Sequence, residues 1–397
     1  MMRVLYLTLP ALMDASLSFA RAIAAHVELH MLLQVTPGGW RTSLFDVNPV
    51  SPSSDLLPVE PLLSGYPAAL SSYWRSFASF QAAVFGGSSA LHPASWAAAR
   101  SVLRFARQLQ PDIIHLETTL GRMVGALPLL RRLAPLVITV HDPSPHSGES
   151  PLRKVLIRAL TYAGADHFIL HNRTQSAQFC QTYHVPAGRV SVTPLGVYNL
   201  YRLFSQTTPL SDPHTILFFG RLSPYKGLET LLQAAPQACL QIPRLRFVIA
   251  GRPNPDYRLP SLPALPNGGH FEFIPDYIPN ARLASLFQQS GLVVCPYTDA
   301  TQSGVVLTAY AFGRPVLASR VGGLPEYIDE GRTGWLVPPG DVNALAAALV
   351  QAVTALRSDG DAYRQAIAAR SAADLNWETI AAQTLDIYRQ TRQEWKS

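Results

Sequence analysis

Short apolar runs alternate along the chain with stretches in which apolar residues recur at helical spacing. In the second half such runs occupy residues 215–219, 292–297 and 316–319, and helical patterns occupy 228–240 and 305–312. Apolar runs of this length, bounded by turn residues, are typical of strands buried on both faces. The alternation therefore predicts an α/β fold whose parallel sheets are covered by helices on both faces.

The first half shows the same alternation, with strand patterns at residues 111–115, 136–142 and 166–171. The start of the chain, an apolar run at 4–13 behind a basic residue, imitates a signal peptide. We expect a first β-strand there instead, because Asp14 interrupts the run and a helical pattern then begins. No uninterrupted apolar run in the sequence is long enough for a membrane span.

The length of the chain predicts two domains. With 397 residues it is too long for one typical core, and two domains of roughly 190 residues are the natural division. We place the first domain at 1–196 and the second at 215–375. Residues 197–214 have mixed polarity, two prolines and no clear period, and they predict a linker. Residues 376–397 carry apolar side chains at helical spacing and predict a final helix.

Two cations and two glycines follow the predicted strand 215–219. The stretch from Gly220 to Gly227 places Arg221 and Lys226 on a strand-to-helix connection. In an open parallel sheet such connections lie at the carboxyl ends of the strands, where ligands bind. Arg221 suits two phosphate oxygens at once and Lys226 acts as a point charge on a third. The alternative is that both are solvated surface residues.

A second strand-turn-helix stretch begins at residue 292. The segment 298–304 is small and polar, and the helical pattern 305–312 ends at Gly313 and Pro315. Thr301 or Ser303 is a plausible N-cap. The free N–H groups of a helix that starts near Ser303 would face the same crevice as the two cations. The two stretches together predict a site for a diphosphate.

Four motifs of the second half resemble a known family. They are the Gly-Arg-Leu-x3-Lys-Gly stretch at 220–227, the Ala-x-Gly-x-Pro-Val-x-Ala-Ser stretch at 311–319, Gly-Gly-Leu-Pro-Glu at 322–326, and Gly-x-Thr-Gly-x-Leu-Val at 331–337. In order and spacing they resemble the carboxyl half of retaining glycosyltransferases of family 4 (glycosyltransferase group 1). Members of this family have the GT-B architecture, in which two Rossmann-like doubly wound domains face a cleft.

The first half resembles the same family more loosely. Residues 191–197 resemble the exit to the interdomain linker, and the last helix of the family packs back on the first domain. The resemblance implies that His141, at the end of a predicted strand, contacts the donor sugar. The alternative is a structural pair of His141 with Asp142. We expect structural roles for His115, His167 and His171.

The chain departs from the family at its paired glutamates. Typical members carry two glutamates eight positions apart, which hold the donor sugar and the ribose. The corresponding positions here are Ala300 and Thr308. A branch of the family carries the Gln-Ser-Gly turn found at 302–304. The usual glycine-rich turn after the first strand is replaced here by residues 10–16.

This branch implies a set of donor-binding residues. Backbone N–H groups at Ser303 and Gly304 would hold the diphosphate, and the Thr308 hydroxyl would reach a ribose hydroxyl. Asp299 is the nearest replacement for the first carboxylate. The full predicted set is Arg221, Lys226 and His141 for catalysis, and Gly220, Asp299, Gln302, Ser303, Gly304, Val305 and Thr308 for the donor.

The resemblance implies a retaining, metal-independent transferase without a cofactor other than its co-substrate, a nucleoside-diphosphate sugar. The donor would bind the second domain and the acceptor the first, where the loop region 40–65 shapes the site. Glycolipid, polysaccharide or glycoconjugate synthesis are the expected settings, and the expected location is the cytoplasm, where nucleotide sugars occur. Two alternatives are a GT-B phosphorylase or epimerase, and a catalytically silent homologue that acts as a binding or scaffold subunit.

The charge balance of 32 basic and 26 acidic residues gives a net charge of +6. No run of five or six basic residues occurs, which argues against nucleic-acid binding. The densest basic cluster is Arg153, Lys154 and Arg158 on an apolar segment, near Arg131 and Arg132. It predicts peripheral contact with an anionic membrane at its inner surface, or else an ordinary sheet-covering helix with a solvated face. The three separated cysteines argue against a disulfide framework and a zinc site.

Overall fold

A computed structural model describes residues 1–42, 44–86, 92–117, 121–143, 152–205 and 211–396 of the chain, with the side chains of residues 41 and 152–156 outside the description. The chain divides into two compact units. The first consists of Met1–Gly196 together with Asn376–Ser397, and the second is Val197–Leu375. Among the described helices, none combines the length and the apolar character that a membrane span needs.

The first unit contains eleven of the described strands. They are β1 (Arg3–Thr8), β2 (Glu28–Val35), β3 (Trp40–Arg41), β4 (Asp46–Val47), β5 (Leu57–Pro58), β6 (Leu63–Ser64), β7 (Ser79–Val84), β8 (Ile113–Leu116), β9 (Leu136–Val140), β10 (His167–Leu170) and β11 (Val190–Val192). Eight of them form one sheet in the order β11-β10-β9-β8-β1-β2-β7-β5. All pairs in this sheet are parallel except that of β5 with β7.

Register brings the carboxyl ends of three strands together in this sheet. Leu7 of β1 pairs with Leu116 of β8, and Leu116 pairs in turn with Ile138 of β9. The residues that follow these positions therefore meet at one edge of the sheet. This edge carries the polar cluster of the first unit.

The helices of the first unit are α1 (Met13–Ile23), α2 (Pro93–Leu109), α3 (Leu127–Arg131), α4 (Leu152–Ala163), α5 (Ser176–Tyr183) and, from the end of the chain, α11 (Trp377–Lys396). Helix α11 packs against α1. Its first residue lies against the backbone of Gly196, where a Cβ would be 2.6 Å from the Trp377 ring. The proline- and serine-rich region 40–65 contains four short strands. Three of them, β3, β4 and β6, form a small antiparallel sheet, and β5 pairs with β7 of the large sheet.

The second unit contains β12 (Asp212–Phe219), β13 (Arg246–Ala250), β14 (His270–Ile274), β15 (Ser290–Cys295), β16 (Val316–Ser319) and β17 (Gly334–Val337). They form one parallel sheet in the order β14-β13-β12-β15-β16-β17. Strand β12 begins three residues before the predicted 215–219 run, and β15 begins at Ser290 rather than at 292. The two parallel sheets confirm the predicted α/β class.

The helices of the second unit are α6 (Leu228–Gln241), α7 (Asn280–Gln289), α8 (Gly304–Ala311), α9 (Leu324–Tyr327) and α10 (Val342–Ala373). Helix α10 is interrupted at Asp359, whose φ of −151° and ψ of 59° are not helical. Helices α6 and α10 cover the sheet through one continuous apolar core that includes Phe218, Phe247 and Leu349, each at most 1% exposed.

Candidate functional site

The strand order of the second unit creates a switch point between β12 and β15. After β12 the chain continues to β13 on one side, and β15 pairs with the other side of β12. At such a point the loops that leave the carboxyl ends of the two strands diverge and open a crevice for ligands. The connection 220–227 follows β12 and the connection 296–303 follows β15. The two segments singled out by the sequence therefore flank one crevice.

Backbone contact holds these two connections together. Gly227 has a φ of 68°, and a Cβ at this position would lie 1.8 Å from the carbonyl oxygen of Pro296. Only glycine allows this approach in this conformation. The amide of Thr298 also donates to the carbonyl of Tyr225 at 2.8 Å. The position of Lys226, which precedes Gly227, is therefore fixed against the loop after β15.

Lys226 is held by an aromatic side chain of that loop. Its ammonium nitrogen donates to the Tyr297 hydroxyl at 2.8 Å and lies 4.0 Å from the centroid of the Tyr297 ring. Burial, with a smaller effect of the nearby Arg221 charge, lowers the pKa of Lys226 to about 8. A partly desolvated cation favours a bound anion, because the charge of the anion compensates for the hydration that burial removes.

Arg221 is the second cation of the crevice. It is exposed, and its side chain forms no hydrogen bond or ion pair with any residue of the described ranges. Its guanidinium is close enough to influence the pKa of Lys226. The planar donors of Arg221 therefore remain available for oxygen ligands.

The start of α8 forms the opposite wall. Ser303, one of the two predicted candidates, is the N-cap of α8 and has extended backbone angles. Its side chain makes no capping hydrogen bond. Its hydroxyl lies 3.3 Å from the Tyr297 hydroxyl. A Cβ on Gly220 would lie 3.5 Å from Val305, so the loop after β12 reaches the first turn of α8. The amide of Val306 already donates to the carbonyl of Ser303 at 3.1 Å, whereas the N–H groups of Gly304 and Val305 lie before the first hydrogen bond of the helix.

A tight turn after β16 supports the same loop. Gly322 has a φ of 49°, and a Cβ there would lie 1.6 Å from the carbonyl oxygen of Ala300. The amide of Gly323 donates to the carbonyl of Thr301 at 3.1 Å. The Gly-Gly turn of the third sequence motif thus fixes the loop that leads to Ser303.

The remaining predicted donor residues lie around α8 with different accessibility. Thr308 is buried and its hydroxyl donates to the carbonyl of Gly304 at 2.8 Å. This bond leaves only acceptor capacity for a ligand. Asp299 and Gln302 are half-buried in the loop before the helix. The structure therefore brings Gly220, Lys226, Ser303 and Val305 together, with Arg221 nearby.

His141 belongs to the first unit, where it lies beside a buried carboxylate. It follows β9, and its Nε2 is 3.2 Å from Oε1 of Glu117, which follows β8. The other oxygen of Glu117 accepts hydrogen bonds from Tyr6 at 2.5 Å, from Thr8 at 3.1 Å and from Ser16. His141 thus contacts Glu117, a residue that no local sequence pattern indicates as functional.

The two groups shift each other's pKa. Burial opposes protonation of His141, but the hydrogen bond to Glu117 and the charge of that carboxylate outweigh burial and raise the pKa of the imidazole. Burial alone would raise the pKa of Glu117, but His141, Ser16 and Tyr6 lower it through their hydrogen bonds and the imidazolium charge. The pair therefore favours a carboxylate and an imidazolium.

A cavity of about 500 Å³ opens beside this pair. Its lining combines Glu117, His141 and Asp142 with apolar residues of β8, β9 and the turn before α1. Arg158 also lines it, and its guanidinium points toward the carbonyl of Pro143, at 3.4 Å, and the hydroxyl of Tyr183, at 3.5 Å. Arg158 thus belongs to this cavity rather than to a solvated basic face.

The three histidines for which we expected structural roles are packed in the first unit. His115 is buried between the hydroxyls of Tyr388, at 2.5 Å, and Thr139, at 2.7 Å. Burial lowers its pKa to about 4. His167 contacts the Ser191 hydroxyl at 2.8 Å, and His171 contacts the carbonyl of Thr193 at 3.0 Å.

Comparison with known proteins follows the same division of the chain. The model "Glycosyl transferases group 1" matches residues 213–355, and the model "Glycosyltransferase Family 4" matches residues 81–198. The D-inositol 3-phosphate glycosyltransferase of Mycolicibacterium paratuberculosis is 31% identical over 325 residues, which cover 75% of this chain and 71% of that relative. The chain belongs to glycosyltransferase family 4.

Solved structures show the same fold. Sucrose-phosphate synthase from Thermosynechococcus elongatus has a TM-score of 0.63 at 20% identity, with coverage of 98% of this chain and 99% of the other. HepE from Anabaena in complex with UDP has a TM-score of 0.66 at 18% identity, with coverage of 98% and 100%. The chain therefore has the GT-B fold and is a glycosyltransferase by family.

Proposed function

We propose that this protein transfers a sugar from a nucleoside-diphosphate sugar to an acceptor hydroxyl, with retention of the anomeric configuration. The observation that carries the proposal is the crevice at the β12–β15 switch point. Two cations, Arg221 and Lys226, and the first turn of α8 converge there within one unit. This is the arrangement that a diphosphate requires.

The two cations would act on the leaving group. Charge develops on the diphosphate as the bond to the sugar breaks, and preorganised cations and N–H donors stabilise that charge. Lys226 is preorganised by Tyr297, and the backbone at Ser303 and Gly304 supplies N–H donors. We therefore assign this step to the protein's own groups without a metal ion. The family resemblance adds that the acceptor attacks on the face from which the diphosphate leaves.

The donor is a nucleotide sugar in this proposal. Solved structures of HepE contain UDP or UDP-glucose, and a starch synthase IV structure from Arabidopsis thaliana contains ADP and acarbose. They have the fold of this chain, with TM-scores from 0.62 to 0.66. In this chain Gly220, Gln302 and Val305 would border the nucleotide. Thr308 would accept a hydrogen bond from a ribose hydroxyl, and Asp299 would serve in place of the missing first glutamate.

The acceptor is assigned to the first unit. The cavity beside Glu117 and His141 is large enough for a sugar ring and combines apolar walls with carboxylates that accept hydrogen bonds from hydroxyl groups. We assign His141, in contrast, to the contact with the donor sugar that the family resemblance implies. The setting would be glycolipid, polysaccharide or glycoconjugate synthesis in the cytoplasm.

Peripheral contact with an anionic membrane is a separate part of the proposal. Leu160 is 53% exposed and Trp395 is 42% exposed, and both border a surface cavity together with Arg131 and Arg132. Exposed apolar side chains beside cations suit the interface of an anionic bilayer. Arg131 also forms an ion pair with Asp166 at 2.9 Å, which partly neutralises the charge that Arg131 would contribute to membrane binding. The side chains of Arg153 and Lys154, also predicted for this contact, lie outside the described residues.

Turnover tests the proposal. The purified protein is incubated with UDP-, GDP- and ADP-sugars and a panel of hydroxyl acceptors, and release of the nucleoside diphosphate is measured. We expect turnover with one nucleotide class, and a loss of about 100-fold or more in Arg221→Ala. Arg332→Ala, which removes another exposed arginine of the second unit, should retain turnover. Turnover of the Arg221 variant near that of the control would contradict the assignment.

A silent binding subunit is the second candidate. Ala300 and Thr308 occupy the positions of the paired glutamates, and the Thr308 hydroxyl is already engaged by the helix. This candidate predicts that no nucleotide binds. A nucleotide-binding measurement, rather than a turnover assay, therefore distinguishes a silent subunit from an active transferase.

A further inference from the structure

Arg314 is a buried cation in the second unit. It lies at the end of the sheet opposite the crevice that contains Arg221 and Lys226. It lies just before β16 and is only 8% exposed. Its side chain makes no hydrogen bond or ion pair with another described residue, and its Nε is fully buried without a partner. A buried guanidinium without an anion is costly, because desolvation is not repaid by a partner. A bound anion would offset this cost.

A second guanidinium lies next to it. The side chain of Arg364 crosses Gly313, where a Cβ would be 3.7 Å from the Arg364 Cγ. Burial, with a smaller effect of the Arg364 charge, lowers the pKa of Arg314 to about 10. Two like charges are thus held near each other, and only that of Arg364 has an aspartate, Asp361, as its ion-pair partner.

A cavity of about 290 Å³ opens between these arginines. One wall is formed by the amino ends of β12, β15 and β16, at Pro213, Gly291 and Pro315. The other wall is the interruption of α10, where Arg357 and the first turn of the helix after Asp359 line the cavity. The N–H groups of a helix start favour anions.

The acidic side chains of this cavity are already engaged. Asp361 forms an ion pair with Arg364. Asp359 accepts a hydrogen bond from the amide of Ala362 at 3.1 Å and so caps the second part of α10. Neither is paired with Arg314. Within the described residues, neither Arg314 nor Arg357 forms an ion pair, and the cavity lining carries three arginines against two aspartates.

We propose that this cavity binds the phosphate group of a small molecule. Guanidinium groups bind phosphate through two parallel hydrogen bonds, and a tetrahedral oxyanion has enough oxygens for Arg314, Arg357 and the helix start together. The cavity is larger than phosphate alone requires, so it also accommodates a small organic part.

This site is separate from the proposed diphosphate site. The cavity lies at the amino ends of the strands, and Arg221 and Lys226 lie at the carboxyl ends. Strand β12 is eight residues long and separates them by about 23 Å, at about 3.3 Å per residue. The inference therefore does not depend on the transferase assignment, and the two can fail independently.

Phosphate affinity in matched variants tests the proposal. Calorimetric titration with inorganic phosphate, and separately with a hexose monophosphate, is done at constant ionic strength on the wild type, Arg314→Met, Arg221→Ala and Arg258→Gln. Arg258 is an exposed arginine of the same unit outside the cavity. We expect Arg314→Met to weaken phosphate binding by about tenfold or more. The Arg221 and Arg258 variants should retain a phosphate site of wild-type affinity.

The result that overturns the proposal is unchanged phosphate affinity in Arg314→Met, or loss of all phosphate binding in Arg221→Ala alone. If Arg314→Met does not fold, Arg357→Gln gives the same test, because Arg357 is exposed and its replacement leaves the core intact. Unchanged affinity in that variant also overturns the proposal. Tighter binding of the hexose monophosphate than of inorganic phosphate would identify a phosphorylated sugar as the source, and equal affinities would identify free phosphate.

Discussion

The ammonium nitrogen of Lys226 lies 2.8 Å from the hydroxyl oxygen of Tyr297 and 4.0 Å from the centroid of the Tyr297 ring. Both contacts act on one cation, the first as a hydrogen bond and the second as a cation–π interaction. Tyr297 is only 1% exposed, so its ring cannot easily move away. Tyr297 therefore positions the cation that we assign to the diphosphate.

Removal of the Tyr297 hydroxyl tests this positioning. Tyr297→Phe keeps the ring but loses the hydrogen bond, so we expect nucleotide affinity to fall by about three- to tenfold. Isothermal titration calorimetry measures the change. Tyr257→Phe is the matched control, because it removes a hydroxyl that donates to Glu229 at 2.6 Å in the same unit. An equal loss of affinity in both variants would show that the effect is not specific to Lys226.

The pKa of Lys226 predicts a pH dependence of binding. Its pKa of about 8 means that the ammonium is mostly charged at pH 7 and mostly neutral at pH 9. The diphosphate of a nucleotide sugar does not titrate in this range and binds the charged form of Lys226. Affinity for the nucleotide sugar should therefore be constant below pH 7 and fall by up to about tenfold per unit above pH 8. Lys226→Arg remains charged throughout this range. Its affinity should therefore vary little with pH, and a slope equal to that of the wild type would exclude Lys226 as the titrating group.

The contact of Gly227 with Pro296 predicts a local effect of one methyl group. Gly227→Ala must move backbone, because the added Cβ would lie 1.8 Å from the Pro296 oxygen. Gly331 has a similar φ of 75° but no atom within 4 Å of an added Cβ. We expect Gly331→Ala to cost about 1 kcal/mol of unfolding free energy from backbone strain. Gly227→Ala should cost several kcal/mol and abolish nucleotide binding.

Urea unfolding and nucleotide titration check both glycine variants. If Gly227→Ala and Gly331→Ala lost similar stability and both still bound nucleotide, the contact between the loops after β12 and β15 would not be needed for binding. That outcome would contradict the role of this contact in placing Lys226.

The Glu117–His141 pair predicts a pH-dependent stability of the first unit. The pKa of Glu117 is lowered and that of His141 is raised, so the pair stabilises between the two values. Its contribution is lost as pH falls through the folded-state pKa of Glu117, and again as pH rises through that of His141. Glu117→Gln should lower the pKa of His141, as measured by NMR titration of its ring.

Stability measurements complete this test. We expect Glu117→Gln to lose about 1–3 kcal/mol of unfolding free energy at pH 6 and less at pH 9. Glu28→Gln serves as the control. It replaces a carboxylate that is also 3.2 Å from a histidine, His30, but that is exposed to solvent. A His141 pKa unchanged by Glu117→Gln would refute the coupling.

Much of the fold follows from local patterns in the sequence. Periodicity placed α8 at 305–312, and the structure has it at Gly304–Ala311 because Ser303 supplies the N-cap. The parallel α/β class and the family are confirmed. The short strands β3, β4 and β6 are not visible in the sequence, because two-residue strands have no period of their own.

The site was less predictable because its partners are distant in the chain. Glu117 contacts Tyr6, which is 111 residues away, and no local pattern connects them. Tyr297 follows an apolar strand and resembles a core residue by sequence. Its contact with Lys226 depends on the pairing of β12 with β15. Arg314 lies in a family motif, and only its burial distinguishes it from a surface arginine. The roles of Arg221, Lys226 and His141 stay predictions.

The most direct test of the central claim is thermal unfolding of the wild type and Arg221→Ala with millimolar UDP, GDP and ADP. A ligand at about one hundred times its dissociation constant adds about 2.7 kcal/mol and raises the midpoint by a few degrees. We predict that one nucleotide raises the wild-type midpoint and that the shift is lost in Arg221→Ala. No shift with any nucleotide, or the same shift in both proteins, would contradict a nucleotide-sugar site at the β12–β15 switch point.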